Sequence, residues 1–172
     1  MKKIILATSA IILGSAAAHA SEGQINITGQ ITDRTCKVDN KTTQDYSVVL
    51  PTVSTSSLAA AGQTAGRTPF TINLTDCSEG KVATYFEPGS TVDYDSGRLK
   101  NVNGSAKNVQ VQLLGDNNQV IQVLAGPQEN SQEVSVAAGG SAALNYYAEY
   151  YAQAQTTAGT VDTSVKYTII YP

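Results

Sequence analysis

The chain has 172 residues, of which 41% are apolar, 15% charged and 6% aromatic, enough to bury one core and too few for two ordinary domains. The apolar residues are spread along the chain, which argues against a wholly disordered protein and against a multispan membrane protein. A formal charge of -3 with a pI near 5.0 gives phosphates no reason to approach, so no nucleic acid partner is expected.

Residues 1–20 read as a secretory signal peptide: Lys2 and Lys3 lead into the apolar run Ile4 to Leu13, and small residues follow to Ala18-His19-Ala20. The apolar run of about ten residues is half of what a bilayer-spanning helix needs. Cleavage after Ala20 would leave Ser21 to Pro172, 152 residues, and would remove Lys2 and Lys3 from the eleven basic residues, for a mature charge of -5. The single Met and the single His leave with it. A chain without histidine has no Ser-His-Asp or Cys-His site and no His-ligated metal, so neither an enzyme nor a metal or other cofactor is expected.

Along the mature chain the apolar period is two almost everywhere. Ile25, Ile27, Gly29 and Ile31 alternate with Gln24, Asn26, Thr28 and Gln30, the pattern of a half-buried strand. Cys36 and Cys77 form an even pair in an exported chain, which reads as a structural disulfide. Residues 55 to 66 read as an exposed connection with room for one short helical turn. Phe70, Ile72 and Leu74 mark the next strand. Asp93 to Gly97 carries turn chemistry, and its two carboxylates are read as turn formers, not as an acid pair. Val109, Val111 and Leu113 lead through Gly115-Asp116-Asn117-Asn118 to a return strand, Gln119 to Leu124, a hairpin. Ser131 to Val136, Ala142 to Ala152 and Thr160 to Tyr171 supply the later strands. In the third of these, Val165, Tyr167, Ile169 and Tyr171 point one way. Tyr146, Tyr147, Tyr150 and Tyr151 divide between two faces, two inward and two outward, which favours core and subunit contacts over an aromatic sugar platform.

This pattern predicts an all-β fold, an immunoglobulin-like sandwich without the Trp of antibody domains. Two segments carry the functional signal. Ser21 to Thr28 lies ahead of the disulfide and is either a strand to be donated or the first strand of the chain's own sheet; periodicity does not separate the two. At the other end, a last strand closing on Pro172 leaves its sheet open to a missing neighbour, with an apolar groove beside it.

The chain resembles the subunits of chaperone-usher pili, in particular major pilins of the type 1 kind from Gram-negative bacteria. The landmarks are Gly23-x-Ile25-x-Ile27-x-Gly29-x-Ile31 running to Cys36-x-Val38, then Phe70-x-Ile72-x-Leu74-x-x-Cys77, then Tyr147-Ala148-x-Tyr150-Tyr151, and Tyr171. The resemblance implies an incomplete sandwich lacking its final strand and completed by donor-strand exchange. Residues 21–28 would be the donor extension and 29–172 the pilin domain. Ser21 and Gly23 would occupy the outer pockets, Ile25 and Ile27 would fill the apolar ones, and Gly29 would join the arm to the first strand. Val165, Tyr167, Ile169 and Tyr171 would line the groove, with the carboxylate of Pro172 held by a periplasmic chaperone. The implied partners are neighbouring copies of the same pilin, that chaperone and an outer-membrane usher, with host surfaces met through the fibre. The implied location is the cell-surface fimbrium, reached through the periplasm, where the fibre serves adhesion or biofilm. A minor adaptor pilin, or from a different class a self-contained secreted β-sandwich that binds carbohydrate, is the alternative.

Overall fold

The computed structural model describes residues 24–38 and 45–172. Thr32–Pro172 forms one compact unit, and the described residues before it belong to another. The signal segment and the donor positions Ser21 and Gly23 lie outside the described residues.

Among the described residues the folded unit is built from ten strands and one 3-10 turn. They are β1 (Lys37–Val38), β2 (Thr64–Cys77), β3 (Gly80–Glu87), β4 (Val92–Asp93), β5 (Arg98–Lys100), β6 (Val109–Leu114), β7 (Val120–Ile121), β8 (Glu133–Val136), β9 (Gly140–Ala152) and β10 (Lys166–Ile170). One sheet runs β1-β2-β9-β6-β5-β4 with β7 on β6, and the second runs β10-β3-β8. Every pairing is antiparallel. The fold is an all-β sandwich, as the period of two predicts.

The core sits between the sheets because alternate residues of each long strand are apolar. Ile72 and Leu74 of β2, Leu144 and Tyr146 of β9 and Val111 and Leu113 of β6 meet Val82 and Phe86 of β3 and Val136 of β8. Tyr146 is its centre: its ring lies edge-on to Phe86 at 5.2 Å and tilted against Phe70 at 5.6 Å. Burial pushes its phenol pKa up.

The disulfide joins Cys36 to Cys77 across 41 residues, as the even pair predicts. The short helical turn is present at Thr55–Leu58, capped by the Ser54 side chain, which accepts from the Ser56 N–H. β2 takes up residues from Thr64 onward, so the connection is shorter than expected. At the start of β2 the register shifts between Ala65 and Thr68. Gly66 makes this bulge with φ +70°, and a Cβ there would press to 3.1 Å from the Tyr150 ring.

Three expectations are corrected. Gln24 to Ile31 is not a strand: Ile25 is 88% exposed and Ile27 90%, because alternation alone supplies no ladder partner. Thr160 to Tyr171 is a strand only over Lys166–Ile170. Ahead of it the chain is held by the 101–106 loop, through the Val102 N–H donating to the Asp162 carbonyl and the Ala106 N–H to the Thr160 carbonyl. Finally, β3, β4 and β5 appear where no strand was expected.

Asp93 forms the turn between β4 and β5. Its carboxylate accepts from the Ser96 hydroxyl and the Gln110 amide, each at 2.7 Å, and its carbonyl accepts from the Gly97 N–H, also at 2.7 Å. The Ser96 hydrogen bond first, then Gln110, holds the Asp93 pKa below its ordinary value. A lowered folded-state pKa contributes stability that is present above the unfolded value, about 3.9, and lost as pH falls through the folded value. Asp93→Asn therefore lowers the urea midpoint at about pH 6, and the difference from wild type closes as the pH drops below about 4. A constant difference between about pH 6 and pH 2 would contradict this.

Candidate functional site: an apolar groove beside the last strand

β10 is the edge strand of its sheet, bonded to β3 on one side. On the other side the chain has left a trench. Its far wall is residues 45–50, which carry no assigned strand but alternate in burial: Tyr46, Val48 and Leu50 are half-buried, Asp45, Ser47 and Val49 exposed. Its near wall is Val161 to Ile169, with Val161, Thr163, Val165, Tyr167 and Ile169 turned inward and the residues between them exposed. Phe70, Ile72, Phe86, Val111 and Leu113 form the floor. Both sheets therefore contribute to it.

The trench has a volume of about 1060 Å³, the upper limit of small-molecule pockets, which run from about 300 to 1,000 Å³. Nine residues of extended wall, Val161 to Ile169, span about 26 Å. The shape is that of a slot for a strand. The rings of Tyr46 and Tyr167 meet edge to face at 6.0 Å across it, and burial raises the Tyr167 phenol pKa.

The slot's two ends are held differently. At the start of the near wall, the Asn101 amide donates to the carbonyls of Ala106 and Thr160, its oxygen accepts from the N–H of Gly104 and Asp162, and the Thr91 hydroxyl donates to the Ser164 carbonyl. At the other end the Cys36 N–H donates to the Tyr171 phenol oxygen at 2.7 Å, and Arg34 donates to the carbonyl oxygens of Tyr171 and Pro172 at 2.5 and 3.0 Å. Thus Val165, Tyr167 and Ile169 line the trench as expected, whereas Tyr171 is pinned beyond its end, and the oxygens of Pro172 already face an arginine of this chain.

The four tyrosines of β9 divide as expected. Tyr146 and Tyr150 belong to the core side, and Tyr151 lies on the outer face, where the Arg98 guanidinium stacks 3.7 Å from its ring centre. On that face the buried Glu149 accepts from Arg67 at 2.8 and 3.3 Å and from the Gln112 amide at 2.6 Å. This network satisfies a carboxylate that is 3% exposed and leaves no oxygen of it turned to a ligand. No cluster of three metal-ligating side chains occurs among the described residues. The wall at 45–50 was missed by sequence reasoning, although Tyr46-x-Val48-x-Leu50 carries the period-two signal that reveals it.

The family described as type-1 fimbrial protein, A, matches residues 50–172. The chain belongs to that family. The subunit is 58% identical to the major fimbrial subunit SMF-1 of Stenotrophomonas maltophilia over 90% of its own length and 95% of the relative's. It is 40% identical to the F17 fimbrial protein of Escherichia coli, covering 91% of each. Among solved structures, a chaperone-usher pilus subunit superposes with a TM-score of 0.62 at 21% identity, covering 88% of this chain and 96% of that one, which shows a shared fold. The subunit is a structural component of the cell-surface fimbriae of Gram-negative bacteria, where such subunits polymerise with neighbouring copies.

Proposed function

We propose that the subunit polymerises by donating its own leading segment, residues 21–28, into the groove of a neighbouring copy, without catalysis, and that a periplasmic chaperone and an outer-membrane usher carry it there. The observation that carries this reading is the trench between residues 45–50 and β10, apolar on its walls and floor and as long as a strand. An inserted strand gives β10 a ladder neighbour on its second edge and covers the inward side chains of both walls. The described part of the arm supplies the matching half: Ile25 and Ile27 are two residues apart, on one side of an extended chain, and exposed. Each isoleucine contributes roughly 1.5 to 3 kcal/mol when buried. The added main-chain hydrogen bonds contribute about 0.5 to 1.5 kcal/mol each.

Deleting residues 21–28 from the mature chain is expected to leave a subunit that enters no fibre of its own, seen as loss of heat-resistant ladders on gels and of filaments by electron microscopy. The same chain still accepts a wild-type arm at a fibre end. Fibres assembled from the deleted chain alone would overturn the reading.

A further inference from the structure

The groove has one discordant group on its apolar near wall. The Thr163 hydroxyl oxygen is buried and has no hydrogen-bond partner among the described residues. Buried polar atoms in folded proteins are paired as a rule. The residue has no freedom to turn away from the slot, because its backbone neighbours on both sides are tied down: Asp162 by Asn101, and Ser164 by Thr91. Thr163 shares the inward stripe with Val161, Val165 and Tyr167, so a rotation about its χ1 delivers the oxygen to whatever lies in the groove.

The arm's spacing says what that is. Its inward residues are Gly23, Ile25, Ile27 and Gly29, which read the same in either direction. Inward wall positions also step by two. When the two isoleucines stand opposite Val165 and Tyr167, the next inward position, opposite Thr163, is a glycine whether the arm runs parallel or antiparallel to β10. A glycine leaves its main-chain N–H and C=O open to a side chain from the facing wall.

We propose that Thr163 sets the register of the inserted strand: its hydroxyl hydrogen-bonds the arm's main chain at the glycine beside the isoleucine pair. A slip by one pair of residues brings an isoleucine over the hydroxyl and leaves it orphaned, so the wrong register is penalised where an all-apolar wall would tolerate it. This rests on the strand-exchange reading above.

The test compares the full mature chain carrying Thr163→Val or Thr163→Ser, in fibres and in a background that cannot fill the groove, Ile25→Asp with Ile27→Asp. In fibres, Thr163→Val is expected to speed thermal dissociation about tenfold, as for one lost hydrogen bond, while Thr163→Ser behaves as wild type. In the arm-disabled chain, Thr163→Val leaves the urea midpoint unchanged or raises it, because there the hydroxyl has no partner to lose. A structural role for Thr163 within its own subunit would instead lower that midpoint, and this result overturns the proposal. So does a Thr163→Val fibre as long-lived as wild type, or a Thr163→Ser fibre as short-lived as the valine variant. If the double-aspartate chain itself forms heat-resistant fibres, the strand-exchange reading fails first, and that outcome is distinct from the others.

Discussion

Ile27→Asp in the arm is expected to abolish fibre formation while leaving the folded unit intact. The side chain is 90% exposed and lies outside the compact unit Thr32–Pro172, so the change removes nothing from that unit's core. In the groove it is costly twice over. The apolar burial of the isoleucine, roughly 1.5 to 3 kcal/mol, is lost. A carboxylate must also leave water for a slot floored by Phe70, Ile72 and Val111, at an effective penalty of several kcal/mol. Together these exceed about 4 kcal/mol, or roughly three orders of magnitude in the binding constant. Ile27→Ala, which loses burial alone, is expected to yield fibres that dissociate at a lower temperature. Gln24→Asp, on the opposite face of the arm, is expected to be near neutral. The measurement is the fraction of subunit in ladders that survive mild heating in detergent. Ladders from Ile27→Asp equal to those of wild type would mean that the arm does not enter an apolar site.

The reading of the fold from sequence succeeded where one face of a strand is buried and the other wet. Ala142, Leu144, Tyr146 and Ala148 alternate with exposed or polar residues along β9, and Asp116 to Asn118 turns β6 into β7 with an Asn at φ +62°. It failed at β3, because Val82, Ala83, Thr84 and Phe86 are all buried. This strand has neighbours on both edges, β10 and β8, and its contiguous apolar run shows no period of two to find. β4 and β5 have two and three residues, too few for any periodic signal.

The groove was legible on one wall only. Val165, Tyr167 and Ile169 stand in a run of β-formers, whereas Tyr46 to Leu50 follows polar residues and was passed over. Nor does sequence alone show that Thr163 carries an orphaned hydroxyl, since that depends on what the 101–106 loop and Thr91 leave within reach. The same holds for Glu149, whose partners Arg67 and Gln112 lie 82 and 37 positions away along the chain. Cross-strand contacts of this kind follow from register, and register follows from the Gly66 bulge and the turns, not from composition.

Removing the disulfide is expected to cost more than any single core truncation at the groove. Cross-linking Cys36 to Cys77 closes a loop with a sequence separation of 41, and the chain-entropy relation gives about 4 kcal/mol for such a loop. That is a large share of the 5 to 15 kcal/mol typical of a folded domain. Cys36→Ala with Cys77→Ala, which leaves no free thiol and no buried hydroxyl, is therefore expected to lower the urea midpoint by about 2 M at an m-value near 2 kcal/mol/M. The effect reaches the groove as well. Cys36 donates its N–H to the Tyr171 phenol, and Arg34, two residues before it, holds the carbonyl oxygens of Tyr171 and Pro172. Without the cross-link only the two-residue pairing of β1 with β2 keeps that segment in place, so the end of the near wall loosens with it. Fibres of the double-alanine chain should then dissociate at a lower temperature even in mild conditions where the unit remains folded. A midpoint within about 0.5 M of wild type would show that the sandwich sets its own loop closure without the bond. A lowered midpoint with unchanged fibre dissociation would show instead that the disulfide stabilises the fold but does not hold the groove's end.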